Sequence, residues 1–363
     1  MDFSLKVINV EMPMLYPFTT SFGTESNRNA LILELKAGGI SAYSECVTSV
    51  RPDYGYEDND TALHIIRKVL IEMISDLPTP QEFTERARKV KGDNMAKGAV
   101  EMLLWDYHSK LKGKPLHEVL GESKGYADVG LSIGMDRIEA TLDRISKAVD
   151  SGYQRIKVKI EKGKEIEILS KIRDMFPDIV LTADANSCYS INDIDILKKI
   201  DRYDLKYIEQ PLSYDDLIYH ARLAKEISTP ICLDESITSP EKTKKAFEIG
   251  ACSVVNIKPG RIGGLTDSIA VARIAREHGG HVWVGGMLET GIGRSFNVAM
   301  ASSKLVDYPG DTAPNSRYFK KDIVKNPFKM EMGRIKPNSG AGIGVEIDHE
   351  QLLHYTKSIS TLN

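Results

Sequence analysis

A beat of about 25 residues governs the middle of this chain and leaves few folds open to it. From residue 128 onward, short apolar runs alternate with helical patterns. The runs lie at 129–135, 155–160, 179–186, 205–211, 230–235, 253–259 and 281–287. Between the first two, Ile138, Leu142, Ile145 and Val149 recur at helical spacing, and Gly152 stands where a C-terminal cap belongs. Ser190 and Asp193 form a capping-box pattern that opens the helix after the third run. Gly250, and later Gly279 with Gly280, separate helical patterns from the strands that follow. Seven such units imply a parallel sheet, because each crossover helix returns the chain to start a strand in the same direction. The sheet can stay open and doubly wound, or close into a barrel. The even unit length and the lack of a glycine-rich phosphate fingerprint after the first run favour closure. The glycines at 340–344 do not supply that fingerprint. Residues 344–347 read as a strand, not as the helix that a phosphate loop opens into.

Outside the beat the chain reads differently. Residues 30–36 alternate as a strand, residues 41–47 suit its partner, and Gly38 with Gly39 makes the hairpin turn between them. Helical patterns follow at about 60–76 and 94–111. The expected organisation is an α+β unit over 1–125, the barrel over 126–320, and a tail over 321–363 of strands and turns returning to the first unit. A length of 363 residues suits one large domain with a smaller one.

Charged residues punctuate the runs near their C-terminal ends: Lys157 and Lys159, then Asp184, Glu209, Asp234 and Lys258. From Lys159 onward each follows its predecessor by about one βα unit, so each holds an equivalent place on its strand. In a parallel barrel that place is the C-terminal mouth, where active sites form. Side chains two apart on a strand share a face, so Lys157 points where Lys159 points. Three carboxylates at one level repel one another and lose solvation. A divalent cation relieves both costs, and hard oxygen donors suit magnesium or manganese. Lysines flanking such a site can exchange protons, since a nearby cation and partial burial lower an ammonium pKa. Taken singly, an acidic residue at a strand end is more often a helix cap or a solvated loop residue. Five ionisable groups in register on consecutive units point instead to a convergent site.

Little else in the chain competes. The net charge of -3 offers no basic excess for nucleic acid. There is no run of about 18 apolar residues, and the first residues show no basic segment followed by an apolar run. The expectation is a cytoplasmic protein with no membrane partner and no leader. Cys46, Cys188, Cys232 and Cys252 form no CxxC pair and read as reduced thiols. The eight histidines show no HExxH spacing, and Ser236 and Ser239 lack a base at readable distance.

Five motifs taken together carry a resemblance. Residues 157–159 (KVK), 184–186 (DAN), 208–211 (IEQP), 233–236 (LDES) and 256–260 (NIKPG) resemble the series of the enolase superfamily, muconate-lactonizing subgroup, over nearly the whole chain. The resemblance implies a modified (β/α)7β TIM-like barrel with an α+β capping domain built from the N-terminal region and the C-terminal tail. It implies Mg2+, or Mn2+ or another divalent cation, on Asp184, Glu209 and Asp234. It places Lys159 and Lys258 on either side of a substrate α-carbon, with Lys157 assisting the substrate carboxylate.

Finer motifs narrow the group. Residues 284–294 (VGGMLETGIGR) resemble the o-succinylbenzoate synthase and N-acylamino acid racemase group. Arg261 resembles an arginine of its racemase-bearing branch, residues 18–24 resemble a mobile loop that closes over substrate, and residues 44–47 also fit. Substrate contacts are then implied for Ser132, Phe22, Asn186, Arg261, Gly286, Met287 and Glu289, although Glu289 reads equally well as a plain loop carboxylate. The activity implied is abstraction of a proton α to a carboxylate. It leads either to syn dehydration of a cyclohexadiene carboxylate (SHCHC) in menaquinone biosynthesis, with or without racemase activity, or to a dedicated N-acylamino acid racemase. Relatives in this group assemble as dimers or octamers, so a homo-oligomer is expected. From a different class, a non-catalytic barrel binding a carboxylate remains an alternative.

Overall fold

The computed structural model of the chain describes residues 3–20 and 23–362. Three strands open the fold as an antiparallel meander: β1 (Phe3–Thr20), β2 (Gly23–Ala37) and β3 (Ile40–Cys46). Gly38 and Gly39 both hold positive φ (55° and 79°), the geometry that lets a two-residue turn match the twist of its strands. The period of two then sorts β2. Ala30 and Ile32 join Val10 and Met12 in the core shared with the barrel. Leu31, Leu33 and Leu35 pack into a separate core with Val100, Leu103 and Leu104 of the helix Asn94–Leu111.

Seven parallel strands follow: β4 (Gly130–Ile133), β5 (Arg155–Lys159), β6 (Leu181–Asp184), β7 (Ile208–Glu209), β8 (Ile231–Leu233), β9 (Val254–Ile257) and β10 (His281–Val284). Each pairs with the next in sequence. Residues 307–311 join the two outer strands. On one side Tyr308 N and Asp311 N donate to Val282 O (3.0 Å) and Val284 O (2.9 Å). On the other, Gly310 N donates to Asp128 O (3.0 Å) and Gly130 N to Gly310 O (2.7 Å). The sheet is thereby a ring, and its interior is filled by side chains. The last strand, β11 (Thr356–Leu362), pairs antiparallel with β1, so the four-stranded sheet runs β11-β1-β2-β3.

Some elements depart from expectation. The helical pattern at 60–76 is Asn59–Ile65 continued through a π-helical turn, Ile66–Leu70, into Ile71–Met73. Residues 344–347 form no strand: Gly342 and Gly344 both take positive φ, which interrupts extended backbone, and Ile347 makes only an isolated bridge to Val324. A helix, His349–Tyr355, precedes β11 where only strands and turns were expected. All four cysteines are free. No helix among the described residues is long and apolar enough to cross a membrane.

Two buried carboxylates fasten the four-stranded layer to the barrel. Glu101 accepts from Leu265 N and Thr266 N (2.8 Å each) and from Trp105 Nε1 (2.7 Å), and so caps the helix Leu265–Glu277. Gly264 allows that approach, since a Cβ there would lie 2.3 Å from Glu101 Oε2. Glu45 on β3 accepts from Thr290 N (3.0 Å), Thr290 Oγ1 (2.7 Å) and Gly293 N (3.1 Å), at the start of the helix Gly291–Ala301. Each carboxyl group takes up N–H groups at the start of a barrel helix. Glu101→Ala leaves the Leu265 and Thr266 N–H groups without their acceptor, and a loss of about 2–4 kcal/mol is expected. Thermal melting several degrees lower would bear this out; an unchanged melt would show that the caps do not hold the layers together.

Candidate active site

The parallel register builds the site. Lys159 lies beside Asp184, and Asp184 beside Glu209, as strand partners on β5, β6 and β7. Asp234 follows directly on β8 and Lys258 on β9. All are buried or nearly so, because the mouth is roofed by the first two strands and by residues 49–54.

Lys157 is the hub of the cluster. Its Nζ donates to Glu209 Oε2 (2.7 Å) and lies 3.0 Å from Asp311 Oδ2 and 3.3 Å from Asp184 Oδ2. It also stands 4.7 Å from the centre of the Trp283 ring. Burial works against its charge, but Asp311, Glu209 and Asp184 outweigh burial and hold its pKa well above the usual range. Lys159 donates to Asp184 Oδ2 (2.6 Å) and to Asn186 Oδ1. Burial would raise the Asp184 carboxyl, yet Lys159 and Lys157 hold it at about 2. Glu209 is raised, by burial first and then by Asp184.

On the far side, Lys258 donates to Asp234 Oδ2 (2.9 Å) and to the Tyr54 hydroxyl (3.1 Å). Burial opposes its charge, and Tyr54, Glu235 and Glu209 outweigh burial to raise its pKa. Arg261 binds Asp234 Oδ1, the Tyr54 hydroxyl (3.0 Å) and the carbonyls of Ile237 and Asn256. The Tyr54 hydroxyl in turn donates to Asp234 Oδ1 (3.1 Å). Five carboxyl groups (Asp184, Glu209, Asp234, Glu235, Asp311) thus face five cationic groups (Arg155, Lys157, Lys159, Lys258, Arg261).

The donor set suits a hard divalent cation in kind and in strand register. Glu235 is pushed up to about 7 by burial, with Asp184 adding to it. Glu235 Oε2 and Asn256 Oδ1 are buried without a hydrogen-bond partner. These are oxygen atoms without a matching donor. Among the described residues, however, no three His, Cys, Asp or Glu side chains converge closely enough to hold an ion as they stand. Lys157, Lys159, Lys258 and Arg261 occupy the carboxylate oxygens instead.

A cavity of about 330 Å³ opens between this cluster and the roof. Of the residues expected at the site, Lys157, Lys159, Lys258, Asp184, Asn186, Ser132, Gly286 and Met287 line it. Glu209 and Asp234 do not line it. Glu209 is tied to Lys157 and Asn256, and Asp234 to Lys258, Arg261 and Tyr54. Arg261 lines a separate cleft. Glu289 does not line the cavity. Its carboxylate accepts from Met287 N (2.8 Å) and Asn297 Nδ2 (2.6 Å) and pairs with Arg294 (3.1 Å), so it shapes the loop that carries Gly286 and Met287. Phe22 lies outside the described residues, as does part of the segment 18–24. Tyr54, Asp311, Glu235 and Trp283 were not singled out from the sequence. Continuing the beat past Lys258 does reach Trp283, and one unit further comes close to Asp311.

Comparison with known proteins agrees with this fold. Residues 3–121 match the family described as mandelate racemase / muconate lactonizing enzyme, N-terminal domain, and residues 140–352 match enolase C-terminal domain-like. An N-succinylamino acid racemase of Thermus thermophilus is 41% identical, covering 93% of this chain and 92% of its own. An o-succinylbenzoate synthase of Geobacillus stearothermophilus is 39% identical, covering 96% and 94%. The crystal structure of an enolase superfamily member from Listeria innocua superposes with a TM-score of 0.95 at 37% identity, covering 99% of this chain and 98% of its own.

Proposed function

The chain belongs to the mandelate racemase / muconate lactonizing enzyme family of the enolase superfamily, and from that premise we propose that it is an o-succinylbenzoate synthase whose site also racemises N-succinylamino acids. The observation that carries this reading is the pair of lysines, Lys159 and Lys258, lining one cavity from strands four places apart in the ring. A binder has no need of two ammonium groups facing one carbon, and relatives with 36–41% identity are named as enzymes of these two kinds.

The family is divalent-metal dependent, and we assign Mg2+ to Asp184, Glu209 and Asp234. A divalent cation together with a substrate carboxylate adds one net positive charge to the balanced cluster, which favours loss of a proton from one lysine and stabilises charge developing on that carboxylate. Lys157, fixed between Glu209, Asp184 and Asp311, orients the carboxylate. In the dehydration, Lys159 takes the α-proton of SHCHC. The carbon–oxygen bond breaks, the ring becomes aromatic, and Lys159 returns the proton to the departing hydroxide, which leaves as water. Lys258 stays cationic and offsets the developing negative charge. In the racemisation one lysine takes the α-proton and the other delivers a proton to the opposite face. The lysines and the cation site are common to both reactions.

Purified chain with Mg2+ is expected to convert SHCHC to o-succinylbenzoate and to wash solvent deuterium into N-succinylamino acids. Exchange without dehydration would favour a dedicated N-acylamino acid racemase, and neither reaction would sink the proposal. A finer test is Tyr54→Phe, which removes the hydroxyl shared by Lys258, Arg261 and Asp234. Loss of a hydrogen bond to a charged group, about 1.5–3 kcal/mol, predicts racemisation slower by ~10–100-fold. Dehydration should fall less, because Lys258 transfers no proton in it. Equal losses in both reactions would contradict the separate roles.

A further inference from the structure

One buried cationic side chain in the cavity is left unused by this chemistry. Arg28 stands on β2, in register with Met12 of β1. It shares the parity of Ala30 and Ile32, which pack on the barrel side, so it faces the barrel mouth and lines the cavity. The residue is only 2% exposed. Its Nη1 donates to Ser49 Oγ (3.2 Å), which passes the contact on to Glu25 Oε1 (3.1 Å). Nε and Nη2 are buried with no hydrogen-bond partner. Glu45, whose charge Arg28 offsets from a distance, gives its oxygens to Thr290 and Gly293. Among the described residues no carboxylate comes within ion-pair distance of the guanidinium.

A guanidinium cannot shed its proton to escape burial, so an unpaired one is costly unless an anion arrives. The two free nitrogens are also the informative ones. Nε and Nη2 form one edge of the guanidinium, the fork that presents two parallel N–H groups to a carboxylate. The reacting carboxylate already has Lys157 and the cation site. The fork therefore calls for a second anionic group at another end of the same ligand. Both proposed substrates possess one, because each has a succinyl arm that ends in a carboxylate.

We propose that Arg28 binds the remote carboxylate of a dicarboxylate substrate, and that this contact sets the preference for a succinyl arm over neutral acyl groups. The inference rests on the proposed substrate class, but a binding measurement separates the two. Calorimetric titration, in the presence of Mg2+, would compare the N-succinyl and N-acetyl derivatives of one amino acid. Wild-type chain is expected to bind the succinyl derivative at least about tenfold more tightly, the scale of a charged bidentate contact. Arg28→Gln should bring the ratio of the two Kd values close to one. Arg28→Lys, which keeps the charge and loses the fork, should leave an intermediate ratio. A wild-type ratio near one, or a ratio unchanged in Arg28→Gln, would overturn the proposal. If the glutamine variant does not fold, an unchanged ratio in Arg28→Lys overturns it equally. Deuterium exchange read on the same samples tests the chemistry apart from the binding. A succinyl preference without exchange would refute the proposed reaction and leave the anion site standing.

Discussion

Lys159→Ala is expected to lower dehydration of SHCHC, and α-proton exchange with one enantiomer of an N-succinylamino acid, by ~10²–10⁴-fold, the usual contribution of a positioned acid–base group. The fold should survive. Removing Lys159 leaves Asp184 with Lys157 at 3.3 Å and with the backbone of Asn186 at 3.0 Å, so no buried carboxylate is stranded. The contrast is Lys157→Ala, which takes one ammonium away from Glu209, Asp184 and Asp311 together. Breaking a buried ion pair by removing one partner costs about 3–5 kcal/mol, so that variant is expected to lose stability as well as activity. Circular dichroism and steady-state rates distinguish the two cases. A Lys159→Ala chain that is folded and fully active would remove Lys159 as the base of the mechanism.

Chelation is the second large effect. Dialysis against EDTA should abolish dehydration and exchange, and added Mg2+ should restore both. Glu209→Gln should make the loss permanent, by more than the ~10–100-fold seen when only a residue supporting a metal ligand is changed. Glu209 is the acid best placed to show this, since its strand partner is Asp184 and its oxygens meet both Lys157 and Asn256. Calorimetric titration with Mg2+ gives the same answer without turnover: heat of binding in the wild type, none in Glu209→Gln. Full activity in EDTA-treated chain would rule out the cation site.

Much of the site was legible because strand chemistry is periodic. Lys159, Asp184, Glu209, Asp234 and Lys258 announce themselves by recurring at the same place in successive βα units, and parallel register turns that recurrence into adjacency. The hairpin between β2 and β3 was equally plain, since Gly38 and Gly39 supply the positive φ that a two-residue turn needs at both positions. What escaped was non-periodic. Tyr54 and Arg28 reach the cavity from the capping layer, and no spacing within that layer reports which barrel residue they will meet. Asp311 lies on the irregular segment 307–311 that closes the ring, where a single acidic residue gives no pattern. Glu289 shows the converse. Its motif marks the loop, yet its carboxylate supports Met287 N and Arg294 and does not line the cavity. Residues 344–347 read as a strand from their apolar alternation, but the positive φ of Gly344 prevents extension there.

The claim that two lysines address one carbon from opposite sides is tested most directly by deuterium wash-in with separate enantiomers. N-Succinyl-L- and N-succinyl-D-amino acids would each be incubated in D2O with wild type, Lys159→Ala and Lys258→Ala, and α-proton loss followed by NMR. Wild type is expected to exchange both enantiomers. Each variant should lose exchange with one enantiomer, by ~10²-fold or more, and the enantiomer lost should differ between the two variants. Loss of the same enantiomer in both variants, or retention of both enantiomers in either, would contradict the two-faced site.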